Sequence, residues 1–282
     1  MIGLQEVSKW TAVRLKGEGP DMVSVDFLTV LLDALAERGL SYEVATDGEN
    51  EAIAKNANIG PAPLLIESKG CGVRSATDFD CGGSLLDRDV VLVKAGSGLK
   101  VTKAVSGRFE RQQTFDGGPL GEISFDRGWT YVNATYKGRR LRLLDTHLEI
   151  GRFANFQTWQ AREFLQGPAK VGRKRQLIAV GDFNSAADSS STVTYELLTH
   201  VMRGTWNQAN GDAPGYTCCQ NPLLSNVEPQ LRERIDLILT KGTRGTAWSR
   251  VVGGEPFNTD PAYTGPRYAA DHAGVVAKVR LR

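Results

Sequence analysis

The chain has 282 residues, enough to bury a sizeable core, so it is no peptide or stapled miniprotein. Its 41% hydrophobic and 23% charged residues, with 31 Gly and 11 Pro, match ordinary globular usage and exclude a low-complexity or chiefly disordered chain. Thirty-four Lys and Arg against 32 Asp and Glu leave a formal charge of +2, so no whole-molecule field advertises a nucleic-acid or membrane partner, and any polyanion must be gripped locally.

No apolar run approaches the roughly 18 residues a membrane span needs, and Gln5, Glu6 and Lys9 stand where a signal peptide needs an apolar centre. No repeat and no uniform linker divides the chain, so one domain over residues 1–282 is expected. Over residues 25–35, Val25, Leu28, Leu31, Leu32 and Leu35 recur three or four apart and predict a helix with Asp26, Asp33 and Glu37 toward water. Residues 64–66 and 90–93 are short β-branched runs that read as buried strands. Residues 129–136 and 141–148 flank Lys137-Gly138-Arg139 and predict a β-hairpin whose second strand ends at Asp145-Thr146-His147. A helix follows over residues 154–165, with Phe156, Ala161, Phe164 and Leu165 for its inner face. Residues 177–180 form a strand ending in Gly181-Asp182-Phe183-Asn184, after which Ser189 to Ser191 can cap a short helix reaching Leu198. Two more strands occupy residues 235–239 and 274–279. Strands with intervening helices and a hairpin indicate an α/β architecture of packed layers.

The four cysteines, Cys71, Cys81, Cys218 and Cys219, form no CxxC pair and the three histidines are scattered, so no structural zinc spacing is present. Cys71 and Cys81 share a Gly-rich stretch; in an oxidising compartment a disulfide there is worth up to about 3 kcal/mol, and in a reducing one they are two thiols.

Four apolar strand segments carry polar groups at an end: Asp145 with His147, Asp182 with Asn184, Asp236, and Asp271 with His272. A carboxylate in low dielectric costs several kcal/mol unless paired, hydrogen-bonded or metal-bound, so their convergence implies a shared cationic or phosphate partner. Residues two apart on an extended chain point to one side, which lets Asp182 and Asn184 reach one centre together, while adjacent Asp271 and His272 face different partners. Asp145 is expected to bond backbone amides and stays outside the candidate site.

Five pieces, Gly3-Leu4-Gln5-Glu6-Val7, Asp145-Thr146-His147-Leu148, Val180-Gly181-Asp182-Phe183-Asn184, Arg234-Ile235-Asp236-Leu237-Ile238-Leu239 and Ala270-Asp271-His272, resemble in order the motifs of the endonuclease/exonuclease/phosphatase superfamily of magnesium-dependent phosphoesterases. The resemblance implies a four-layer α/β/β/α sandwich of two mixed β-sheets with the site at one end. It implies Glu6 as the carboxylate holding magnesium, with manganese as the alternative, and Asp271 as a second metal contact. Asp182 would orient or deprotonate the attacking water, Asn184 would donate to phosphoryl oxygens, and His147 and His272 would hold the phosphate. Asp236 would fix the tautomer of His272 and keep it cationic, and Arg88 would approach the phosphate. Relatives open with a strand ending in a metal-site Asn before the Glu strand; here Met1 stands just before Gly3, so that first strand is expected to be missing and the N-terminus truncated. Ala270 replaces a Ser of many relatives.

The reaction implied is metal-assisted hydrolysis of a phosphodiester by in-line water attack, on DNA or RNA as first expectation. The basic clusters Lys137-Gly138-Arg139-Arg140 with Arg142, and residues 170–175, can track a nucleic-acid backbone or be solvated turns. A lipid or small-molecule phosphoesterase resembling sphingomyelinases is the alternative substrate class. A catalytically impaired binding protein is the alternative of a different kind, because the N-terminal Asn is absent. A monomer is expected, and Thr217-Cys218-Cys219-Gln220 resembles secreted bacterial members, which implies an extracellular or periplasmic destination.

Overall fold

The computed structural model describes residues 1–17, 23–63, 70–118 and 121–282. The strand expected over residues 64–66 lies outside the described residues. In chain order the elements are β1 (Ile2–Leu4), β2 (Lys9–Arg14), β3 (Ser24–Asp26), α1 (Phe27–Glu37), β4 (Tyr42–Val44), β5 (Ile53–Pro63), β6 (Cys81–Lys94) and β7 (Leu99–Arg108). They continue with β8 (Thr114–Asp116), β9 (Glu122–Ser124), β10 (Gly128–Tyr136), β11 (Arg139–His147), a 3₁₀ turn (Gly151–Phe153), α2 (Ala154–Gln166) and β12 (Arg175–Asp182). The last are α3 (Thr194–Thr199), β13 (Arg203–Gly204), α4 (Thr205–Asn210), β14 (Asp236–Lys241), β15 (Gly245–Val252) and β16 (Gly274–Arg280). Sheets with few helices make the expected α/β fold, and among the described residues no helix is long and apolar enough to cross a membrane.

Two compact units divide the chain, residues 1–132 and 133–282. In the first, the long strand β6 is the hub, pairing antiparallel with β1, β2, β4 and β5. Val7, Leu28, Val90 and Leu92 form its buried core, with Ile2, Leu31 and Leu32 against them, so β6 and the apolar stripe of α1 meet as their spacing requires. The helix begins two residues later than expected. Asp26 is its N-cap, accepting the Leu28 N–H at 3.0 Å, which places Val25 in β3 and turns Asp26 inward instead of toward water. Cys71 and Cys81 form a disulfide.

In the second unit the sheet order is β13-β14-β12-β11, followed by the end of β10. β10 and β11 are the expected hairpin. Both turn residues, Lys137 (φ 48°) and Gly138 (φ 75°), are left-handed, as a two-residue connection between twisted strands demands. β11 and β12 run parallel, and β14 is antiparallel to β12. Phe183 is fully buried and meets Phe164 of α2 edge to face at 5.9 Å, so the apolar residue between Asp182 and Asn184 anchors the strand end in the core. The short helix after β12 starts at Thr194, later than expected and without a side-chain cap, because Ser191 Oγ accepts the Ala186 N–H instead.

Candidate active site

Strand register alone lines up the first three groups. His147 ends β11 opposite Asp182 at the end of β12, and Asp182 stands opposite Asp236, the first residue of β14. Directly opposed residues on neighbouring strands point to the same face, so an imidazole and two carboxylates form a row across three strands. The row depends on Gly181. At φ 148° its Cα packs against the backbone of Thr146, and a Cβ there would lie 3.0 Å from the Thr146 carbonyl carbon and closer still to its oxygen. Only glycine permits this approach, which sets the spacing between His147 and Asp182.

Around Asp182 the chain is fastened at every step. Its carbonyl accepts the Leu148 N–H at 3.0 Å, its Oδ1 accepts the Asn184 N–H at 2.8 Å, and its Oδ2 lies 3.4 Å from His147 Nε2. Asn184, at φ 48°, turns its amide back: Nδ2 donates to the Leu148 carbonyl at 2.9 Å and lies 3.1 Å from His147 Nε2. From α2, buried Gln157 donates to the carbonyls of Asn184 (2.6 Å) and Glu149 (2.7 Å). The Asn184 amide is thus engaged within the protein, between the Leu148 carbonyl and the His147 ring.

His272 completes the cluster from the loop before β16. Its Nδ1 and Asp236 Oδ2 are 2.9 Å apart. Burial works against a charged imidazole here, but the hydrogen bond and charge of Asp236, with Asp182 and Asp271, outweigh it and raise His272 to about 9. Burial opposes ionisation of Asp182 as well, yet His147, the His272 charge and the Asn184 N–H win and hold its pKa below the ordinary value. Asp236 goes the other way: burial first, then the Asp182 charge, raises it in spite of His272. Asp182, Asp236 and His272 each offer one donor atom within 4.8 Å of the others, a place where a divalent cation finds two carboxylate oxygens.

No protein-family profile and no curated protein matches the sequence. Solved structures do match. An endonuclease/exonuclease/phosphatase family protein from Leptotrichia buccalis superposes with a TM-score of 0.56 at 16% identity, over 99% of this chain and 86% of that one. Zebrafish (D. rerio) TDP2, in complex with a single-strand DNA product, gives 0.53 at 16% identity over 98% and 83%. The endonuclease/exonuclease/phosphatase from Bacteroides vulgatus gives 0.53 at 14% identity over 91% and 81%. The chain has the endonuclease/exonuclease/phosphatase fold.

Within this fold the second unit brings His147, Asp182, Asn184, Asp236 and His272 together. Asp271 is exposed beside His272, its carbonyl accepting the Gln220 N–H at 2.8 Å. Glu6 and Arg88 belong to the first unit. Glu6 is exposed at φ 54° in a turn whose next residues are stitched to β6: Val7 N donates to Arg88 O at 2.9 Å and Ser8 Oγ to Asp87 Oδ1 at 2.9 Å. An acidic residue held in a left-handed conformation by such anchors carries backbone strain of about 1 kcal/mol or more, and its carboxylate suits a hard cation. Arg88 departs from expectation. Its guanidinium is buried, donating to Val7 O at 2.8 Å and Asp26 Oδ1 at 2.5 Å, which makes it a clamp between β6 and the start of α1 and takes it off the list of phosphate groups.

The basic clusters are also displaced from the chemistry. Arg140 stands opposite Arg175 at the start of the β11–β12 pair, seven residues before His147, or roughly 23 Å along the strand. Arg139, Arg140, Arg173 and Lys174 line a concavity at that far end, so they do not flank the site. Sequence reading also passed over Gln157 and Thr217. Buried Thr217 accepts the backbone N–H groups of Ile235 and Asp236 through Oγ1, each at 3.2 Å, and its carbonyl accepts Ala273 N–H at 2.8 Å, tying both halves of the Asp236–His272 pair together. A polar residue beside Cys218 in a loop gives no sequence signal for such a role.

Proposed function

We propose that the protein is a metal-dependent phosphodiester hydrolase acting on nucleic acid. The observation that carries the reading is the in-register row His147–Asp182–Asp236 with His272 bonded to its end. Asp182, ionised at neutral pH, orients the attacking water and takes its proton as the new P–O bond forms. His272, cationic at neutral pH and held by Asp236 through Nδ1, turns Nε2–H toward the charge that develops on phosphoryl oxygen. His147, held by Asn184, presents its imidazole edge to the same region. Magnesium, or manganese in its place, would be held by carboxylates of the second unit, Asp182 and Asp236 with Asp271 beside them, and when bound it would supply Lewis acidity to the phosphate and charge for the departing oxygen.

For the substrate, the support is the fold neighbour from zebrafish that holds a single-strand DNA product. The near-neutral chain and the remote basic patch favour a grip on one or two phosphates over a long electrostatic track. The test is a panel of single-stranded DNA, duplex DNA, RNA, sphingomyelin and an aryl phosphodiester, each with magnesium and with chelator, for the native chain and Asp182→Ala. Magnesium-dependent cleavage of a nucleic acid that falls at least about 100-fold in the variant is expected. Cleavage of sphingomyelin alone would move the substrate to lipid, and no cleavage of any ester by a folded chain would refute the reading.

A further inference from the structure

Thr217-Cys218-Cys219-Gln220 is used only in part by the proposed chemistry. Thr217 positions Asp236, but hydrolysis of a phosphodiester asks nothing of two adjacent sulfurs. The segment is laced on both sides, Cys218 N donating to Glu233 O at 3.0 Å and Gln220 N to Asp271 O at 2.8 Å, so it is fixed relative to His272. Cys219 Sγ lies 3.7 Å from His272 Nε2, and the two sulfurs and the imidazole nitrogen all fall within 4.8 Å of one another. Two neighbouring cysteines of this kind stand either as a dithiol or closed into a disulfide, according to the redox conditions.

The donor set is soft. Two sulfurs and an imidazole select cations of the zinc class, in contrast to the oxygen ligands that magnesium requires. The imidazole is already oriented for it: Asp236 Oδ2 sits 2.9 Å from Nδ1, the carboxylate–histidine arrangement that directs Nε2 outward as a ligand. Cys218 is buried while Cys219 is exposed, which leaves one side of the cluster open for a cation to enter.

We propose that the dithiol form of Cys218 and Cys219, with His272 Nε2, binds one thiophilic divalent cation of the zinc class, and that the disulfide form does not. Interconversion needs a two-electron reductant such as a small dithiol: the S–S bond breaks, each protein sulfur gains an electron and a proton, and the reductant leaves as its own disulfide. On binding, each thiol releases its proton to solvent, and so does the imidazolium, while three lone pairs enter the metal. Occupancy takes His272 away from substrate. That consequence rests on the phosphodiesterase reading, whereas the binding does not.

The test titrates the full chain, reduced with a phosphine and freed of it without air, with cadmium as a spectroscopic stand-in for zinc, following thiolate-to-metal charge-transfer absorption. The unreduced chain and the reduced variants Cys219→Ser and Cys218→Ser are run alongside, with circular dichroism to confirm folding. Reduction also frees Cys71 and Cys81, but they are common to all reduced samples, so the difference from Cys219→Ser isolates the proposed site. One equivalent bound at least about 10-fold more tightly by reduced native chain than by either variant or the unreduced chain is expected. Equal binding by the reduced native chain and Cys219→Ser, or by the unreduced chain, overturns the proposal. Zinc inhibition of ester cleavage, taken as the ratio of rates with and without zinc within each sample, follows separately. A chain that binds cadmium as expected but cleaves no ester upholds the thiol site and refutes only the hydrolase reading.

Discussion

Replacing Gly181 by Ala puts one methyl group into a very close backbone approach between β12 and β11. The new carbon would sit 3.0 Å from the Thr146 carbonyl carbon and 3.2 Å from its nitrogen, against an ordinary carbon–carbon separation of about 3.5–4.0 Å. β12 would have to move by at least about 0.5 Å, and by more to clear the Thr146 oxygen. It cannot swing freely, since Asp182 pairs with His147 on one side and with Asp236 on the other. The strain of an L-residue at φ 148° adds about 1–3 kcal/mol, and one or two weakened ladder bonds about 1 kcal/mol each, for a loss near 3 kcal/mol. That is a large part of the roughly 5–15 kcal/mol that holds a domain folded, without abolishing it. Because the displacement falls between His147 and Asp182, turnover should drop by about 100-fold even in the folded fraction. Gly138→Ala is the control: its φ of 75° is also left-handed but nothing lies within 4 Å of the added carbon, so about 1 kcal/mol and near-native turnover are expected. Urea unfolding midpoints and initial rates on the preferred ester measure both. A Gly181→Ala chain within 1 kcal/mol of native stability and within about threefold of native turnover would refute the claim that this contact sets the row.

His272 and Arg88 give two further tests. His272 rises from its ordinary 6.5 to about 9 in the folded chain, so the stabilisation it carries is complete below pH 6.5 and is lost as pH rises through 9. The difference amounts to roughly 3 kcal/mol for a side chain 27% exposed, read as the change in unfolding free energy between pH 6 and pH 10 that disappears in His272→Gln; equal pH dependence in both chains would remove the Asp236 partnership. Arg88→Met breaks a buried ion pair and should cost about 2–4 kcal/mol while KM stays within about threefold. A tenfold rise in KM with unchanged stability would return Arg88 to the phosphate.

What could be read from the chain follows the range of the physics involved. The hairpin over Lys137-Gly138 and the helix over Ala154–Gln166 are local, written in turn chemistry and in apolar spacing, and they stand where expected within a residue or two. The groups at His147, Asp182 and Asp236 were visible as polar interruptions of apolar strands, because a carboxylate at the end of a Val-Gly run is expensive unless used. Their alignment was not visible. It comes from the register of a parallel pair and of a long-range antiparallel one, which no short window contains. Arg88 misled for a related reason: next to a strand it reads equally as a phosphate ligand or a clamp, and the deciding partner, Asp26, lies 62 residues away.

The two carboxylates of the site are chemically alike and yet are driven in opposite directions. Asp182 receives charge from His147 and His272 and a backbone N–H from Asn184, so it stays ionised in spite of burial. Asp236 shares His272 but also feels Asp182, and burial tips it toward protonation. In the proposed reaction such a divergence would give each different work: the ionised member suits the attacking water, and the member bonded to an imidazole suits holding that imidazole in place. The same division explains why Thr217 bonds the backbone of Asp236, since a group whose task is orientation gains from a fixed backbone more than from added basicity. It also gives the order in which losses should appear. If the proposed reaction holds, neutralising Asp182 would remove the group that meets the water and lower kcat at every pH, whereas neutralising Asp236 would leave the water in place and instead bring the alkaline limb of the rate profile down from about 9, because His272 then keeps its proton only at lower pH. If Asp236→Asn lowered the rate uniformly and left that limb where it was, the division of labour between the two carboxylates would be refuted.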